Sequence, residues 1–149
     1  MFPVANVANL LLGFSFREKK LMTPRRLNQL LFLTAVEFEK MGGGRLFSEE
    51  FCWTPLGPVL LSVESYFWGC RTIRKPVKCW RGNTPPQDND VRLKIAATTV
   101  WEITKPYSDS RLADFIRYAG GAWDKARKSK KLFVTGLRGD GSSRRIPLK

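Results

Sequence analysis

The sequence predicts a mainly α-helical fold, a single compact domain of about five or six helices with a small β-hairpin element. Two observations carry this. Apolar residues recur at helical spacing in several stretches, and start and stop residues stand at the boundaries of those stretches. The composition agrees, since 43% of the 149 residues are hydrophobic, enough for a folded core.

Val4, Val7, Ala8, Leu11 and Leu12 fall at i, i+3, i+4, i+7 and i+8, one apolar face of a first helix. Thr23–Pro24 then supplies a hydroxyl cap followed by proline at the first helical position. Leu27, Leu30, Leu31, Thr34, Phe38 and Met41 continue this second helix, and Gly42, Gly43 and Gly44 stop it. Leu46 to Thr54 reads as extended or irregular. Gly57–Pro58 opens a third helix in which Val59, Leu60, Val63, Tyr66 and Phe67 share a face, with Gly69 as its stop.

Pro76, Gly82, Pro85 and Pro86 exclude a long helix from residues 70–90, and Val77 to Trp80 is the expected strand of the hairpin. Asp88 or Asn89 caps a fourth helix through Leu93, Ala96, Ala97, Val100 and Trp101. Ser108 starts a fifth with Leu112, Phe115, Ile116 and Ala119, and a short helical turn follows around Trp123 to Arg127. The helical domain is expected over 1–135. Gly136, Gly139, Gly141, Ser142 and Ser143 mark 136–149 as a flexible basic tail.

Charge divides the chain. The formal net charge is +13, yet residues 1–70 hold seven basic and six acidic residues, while 71–149 hold 19 and seven. Arg71, Arg74, Lys75, Lys78 and Arg81 form one acid-free cluster, and Lys125, Arg127, Lys128, Lys130 and Lys131 a second. A field of this sign favours an acidic partner, either nucleic acid, an anionic membrane or an acidic protein face. Trp80 among the arginines has the composition of an interface anchor, and equally of a base-stacking residue. No nucleic-acid-binding signature accompanies the cluster, so nucleic acid is the less favoured partner.

Histidine is absent, which excludes a Ser–His–Asp or Cys–His site, His-ligated zinc and an imidazole pH switch. No HExxH, GxxxxGK[ST] or GxGxxG occurs, and adjacent Glu49 and Glu50 point to opposite sides of an extended segment. No catalytic apparatus and no cofactor are expected. Cys52, Cys70 and Cys79 lack CxxC spacing and read as small buried hydrophobes in a reduced, cytoplasmic protein without a signal peptide or membrane span. Among aromatics, Phe32, Phe38, Trp53, Tyr66, Phe67, Trp101 and Phe115 are expected in the core. Phe2, Phe14, Phe16, Phe47, Trp80, Trp123 and Phe133 lie near ends or loops.

The order of motifs resembles the Panacea domain, the family of SocA-type and phage-associated GepA proteins. VANLLL at Val7 to Leu12 is followed by TPRRLNQLLFL at Thr23 to Leu33, similar to a Thr-Pro-x-x-Leu-Gln-Lys-Leu-Leu-Tyr pattern with Asn28–Gln29 in place of Gln-Lys. RLFSEEFCW at Arg45 to Trp53 and Gly57–Pro58–Val59 come next. Ala122–Trp123 and Ala126–Arg127 resemble the family's Pro-Trp-x-x-Ala-Arg element, with alanine for proline. The resemblance implies a helical antitoxin that binds a cognate protein toxin directly, including RelA/SpoT-like toxins that block translation. It also implies, as a lesser alternative, an adaptor that delivers a toxin to a protease. Thr23, Pro24, Leu27, Leu30, Leu31, Gly57, Pro58, Val59 and Trp123 are then framework. Partner choice is expected at Arg71, Arg74, Lys75, Lys78, Trp80 and Arg81, against an acidic patch on the toxin.

Overall fold

The computed structural model describes residues 1–77, 90–118 and 125. In chain order the elements are α1 (Val4–Arg17), α2 (Pro24–Lys40), β1 (Cys52–Thr54), β2 (Gly57–Val59), α3 (Leu61–Tyr66), α4 (Val91–Thr104) and α5 (Asp109–Arg117). The described residues are mainly helical with a small antiparallel hairpin, the fold class predicted, although the hairpin pairs 52–54 with 57–59, away from the expected Val77 to Trp80.

Helix α2 is the central element and packs against α1, α3, α4, α5 and β2. Its start follows from Thr23, whose Oγ1 accepts the Arg26 N–H at 3.1 Å while Pro24 takes the first helical position. Leu27, Leu30, Leu31 and Leu33 are wholly buried on it. They meet Val7, Ala8, Leu11 and Leu12 of α1 and Leu93, Ala96, Ala97, Val100 and Ile103 of α4 in one core. Burying each of these leucines contributes roughly 1.5–3 kcal/mol. The helix ends in a Schellman motif: Gly42 has φ +82°, its N–H bonds to Glu39 O, and the Gly43 N–H reaches Phe38 O at 3.0 Å.

Gly57–Pro58 does not open a helix. Residues 57–59 are β2, with Cys52 opposite Val59, Trp53 opposite Pro58 and Thr54 opposite Gly57, so the loop is Pro55–Leu56. Gly57 has φ +110°, a conformation closed to most side chains, and the Thr54 hydroxyl bridges the loop to Gly57 O and Leu56 N. Helix α3 begins four residues later, at Leu61. Two outside groups fix its start: buried Asn28 accepts the Leu60 N–H at 2.9 Å, and the Glu49 carboxylate accepts from the Ser62 N–H and hydroxyl. Leu60, Val63 and Phe67 are buried as expected, whereas Tyr66 is exposed.

Helix α4 is capped by Asp90, not Asp88 or Asn89, its carboxylate accepting the Leu93 N–H at 2.8 Å. Ser108 caps α5 as expected. The expected strand at Val77 to Trp80 does not include Val77, which is tied to Asn9 of α1; Lys78, Cys79 and Trp80 lie outside the described residues. So do the turn at Trp123 to Arg127, apart from Lys125, and the 136–149 tail. No helix among the described residues is long and apolar enough to cross a membrane.

Candidate interaction surface

The expected partner-binding residues are described in part. Arg71, Arg74 and Lys75 are exposed on the segment between α3 and α4, while Ile73 and Val77 of the same segment are buried. The Ile73 N–H donates to Met22 O at 2.8 Å, and Asn9 holds Val77, so the apolar residues plug into the core and the cations face water. None of the three cations pairs with an acid among the described residues. Lys78, Trp80 and Arg81 lie outside the described residues, as does Trp123. The framework residues Thr23, Pro24, Leu27, Leu30 and Leu31 build and bury α2, and Gly57, Pro58 and Val59 form β2.

A second surface surrounds the hairpin. Trp53, expected in the core, is 61% exposed; its ring packs edge-on against Phe32 at 5.3 Å between centroids. Leu56 at the hairpin tip and Leu61 at the start of α3 are also exposed, and Trp68 just after α3 is 87% exposed. Phe47, in the loop before the hairpin, is buried and packs on Phe51. The short strand lies at the margin of the fold, where Cys52 and Trp53 are both exposed, whereas Phe47 in the loop before it belongs to the core. Cys52 and Cys70 are exposed, contrary to the expectation of buried thiols, and Cys79 is not described.

Between the hairpin tip, α2 and α5 lies a cleft of about 260 Å³. Arg25 and Gln29, one turn apart on α2, form one side; Ala113, Ile116 and Arg117 of α5 form another; Trp53, Leu56 and Gly57 close it. Gln29 is only 2% exposed, and its Nε2 has no hydrogen-bond partner among the described residues. A Cβ added at Gly57 would sit 3.7 Å from that nitrogen, so the amide lies directly beneath the hairpin turn. No acidic residue lines the cleft, and neither guanidinium is paired with an acid among the described residues.

Sequence reasoning placed Gln29 only within a framework motif and passed over Arg25, Leu56, Trp68 and Arg117. The i, i+4 spacing of Arg25 and Gln29 puts them on one helix face, but nothing local shows that α5 and the hairpin converge there. Among the described residues no group of three Cys, Asp or Glu could hold a metal ion. No family model, curated protein or solved structure matches the chain.

Proposed function

We propose that this chain is an antitoxin of a bacterial or phage toxin–antitoxin pair, neutralising a cognate protein toxin by direct contact in the cytoplasm. The order of motifs from Val7 to Val59 supports the family reading. The observation that carries a protein-binding role is the exposure of Trp53, Leu56, Leu61 and Trp68 on the hairpin and around α3. Large apolar side chains in water, with arginines near them in the sequence, have the composition of interface anchors, where Trp and Arg carry most binding energy. The exposed Arg71, Arg74 and Lys75 supply a field that steers an acidic partner. The toxin class that fits the resemblance is a translation-blocking RelA/SpoT-like enzyme, and binding needs no covalent step.

Co-expression with a neighbouring gene product that is toxic on its own tests the reading. The expected result is restored growth and a complex that co-purifies through moderate salt, since anchors of this kind are apolar. Arg71→Ser, Arg74→Ser, Lys75→Ser and Arg81→Ser together are expected to abolish neutralisation while the helical circular dichroism is retained. Failure of the unaltered chain to restore growth or to bind overturns the antitoxin reading. A complex with nucleic acid whose affinity falls log-linearly with salt puts a nucleic-acid regulator in its place.

A further inference from the structure

We propose that the cleft between Arg25, Arg117 and the hairpin tip is a docking site for a carboxylate of the protein partner: an aspartate or glutamate side chain flanked by an apolar residue. The inference rests on the protein-binding reading and adds the partner's chemistry at one defined place, apart from the Arg71–Lys75 segment.

Three features of the cleft point to this occupant. First, two guanidinium side chains line one cleft of about 260 Å³ with no acid among its lining residues. Both side chains are exposed and unpaired with any acid among the described residues, so an anion at the cleft can accept charge-assisted hydrogen bonds from either. Second, the Gln29 amide is buried with an unsatisfied Nε2. A buried donor without a partner is costly, and an acceptor that reaches it past the hairpin turn recovers that cost. Third, the rest of the lining is largely apolar: Trp53, Pro55, Leu56, Ala113 and Ile116, beside Thr54, whose hydroxyl is already bonded to Gly57 O. Such walls suit the hydrocarbon of a peptide and hold no third cation for a string of phosphates. Two cations at one pocket suit one carboxylate; a nucleic-acid backbone is held by a longer run of them.

Gly57, with φ +110°, stands directly over this amide: a Cβ built there would lie 3.7 Å from the buried Nε2, in ordinary contact.

The test uses the full chain, labelled with nitrogen-15, and three probes: blocked acetyl-Leu-Glu-Leu-amide, its Gln counterpart and sodium acetate. The Glu peptide is expected to shift the Gln29 side-chain amide, the Trp53 indole and the Arg25 and Arg117 signals, and to bind at least about tenfold more tightly than the Gln peptide. Arg25→Gln with Arg117→Gln is expected to remove that preference; both side chains are exposed, and unchanged dispersion of the remaining signals reports an intact fold. Equal binding of the two peptides, or no shift at these residues, overturns the proposal. Acetate binding as tightly as the Glu peptide also overturns it, in favour of a small-molecule carboxylate site. A single-stranded oligonucleotide that alone produces these shifts overturns it in favour of nucleic acid. Growth rescue separates the two readings: neutralisation by the unaltered chain without peptide binding removes only the cleft, and peptide binding without neutralisation removes only the toxin.

Discussion

Asn9 and Val77, 68 residues apart, exchange two hydrogen bonds: the Asn9 amide donates to Val77 O at 2.9 Å, and the Val77 N–H donates to Asn9 Oδ1 at 2.7 Å. One side chain thereby does for an irregular segment what a neighbouring strand does in a sheet. It satisfies both backbone groups of a buried residue where no ladder is present. The exposed Arg71, Arg74 and Lys75 precede this anchor, so their placement depends on it.

Asn9→Leu is therefore expected to release the segment around Val77. Two backbone groups lose their partner, at about 1–3 kcal/mol for each that stays buried, though release into water limits the global loss. Amide exchange is the measurement that separates local from global effects. Protection at Ile73 and Val77 should fall by orders of magnitude while that of Leu30 and Leu31 in α2 changes little. If the basic segment contacts the partner, binding weakens with it.

Asn28 has a comparable role inside the core. Its Oδ1 accepts the Leu60 N–H, its Nδ2 donates to Glu64 Oε1 at 2.8 Å, and it is wholly buried. Asn28→Leu strands the Leu60 N–H and removes a partner of the Glu64 carboxylate, so we expect a loss of roughly 2–4 kcal/mol by denaturant unfolding. Asn28→Asp keeps the acceptor but sets a second carboxylate against Glu64, and it should destabilise more at neutral pH than in acid.

These two asparagines show what local sequence signals can and cannot reveal. The start of α2 is readable because Thr23, Pro24 and the Arg26 N–H lie within one turn, and its end because Gly42 and Gly43 carry the stop themselves. Gly57–Pro58 offers the same local wording as a helix start. What makes it a strand is Cys52–Thr54 across the turn and the open backbone of Gly57. An antiparallel ladder has positions that ask no N–H of a proline, so Pro58 fits there as well as at a helix N-terminus. The cleft is less legible still. Arg25, Trp53 and Arg117 are distant in sequence and meet only because α2 carries both the hairpin and α5.

Helix α1 ends in the same motif as α2 but without glycine. Lys19 has φ +54°, the Lys19 N–H reaches Phe16 O at 3.3 Å, and the Lys20 N–H reaches Ser15 O at 2.9 Å. A side chain in the left-handed region costs about 1–2 kcal/mol, partly offset by the greater entropy a glycine loses on folding. Lys19→Gly should therefore raise stability by about 0.5–1 kcal/mol, read as a higher denaturant midpoint at unchanged m-value. Lys19→Val should lower it, because a β-branched residue tolerates this conformation least.

Glu18, at the end of α1, links that helix to α4. The Trp101 indole donates to Glu18 Oε2 at 2.7 Å, and Lys105 reaches Oε1 at 3.2 Å while also pairing with Glu102. The indole hydrogen bond, with help from Lys105, holds the Glu18 carboxyl below the ordinary carboxylate range, against a smaller opposing effect of partial burial. A carboxyl lowered on folding adds stability that is fully present above its unfolded value and is lost as pH falls through its folded one. Stability should thus decline from the ordinary glutamate range downward, more in the unaltered protein than in Glu18→Gln, which keeps an acceptor for the indole but does not titrate. The side chain is 36% exposed, so solvent screening keeps this difference below about 1 kcal/mol. Lys105 is raised, chiefly by its hydrogen bond to Glu102, so its share is complete below the ordinary lysine range and disappears as pH rises through the raised value. Urea midpoints of the two proteins across the acid range, followed by Trp fluorescence, should converge at low pH; curves that stay parallel would show that Glu18 titrates alike in the folded and unfolded chain.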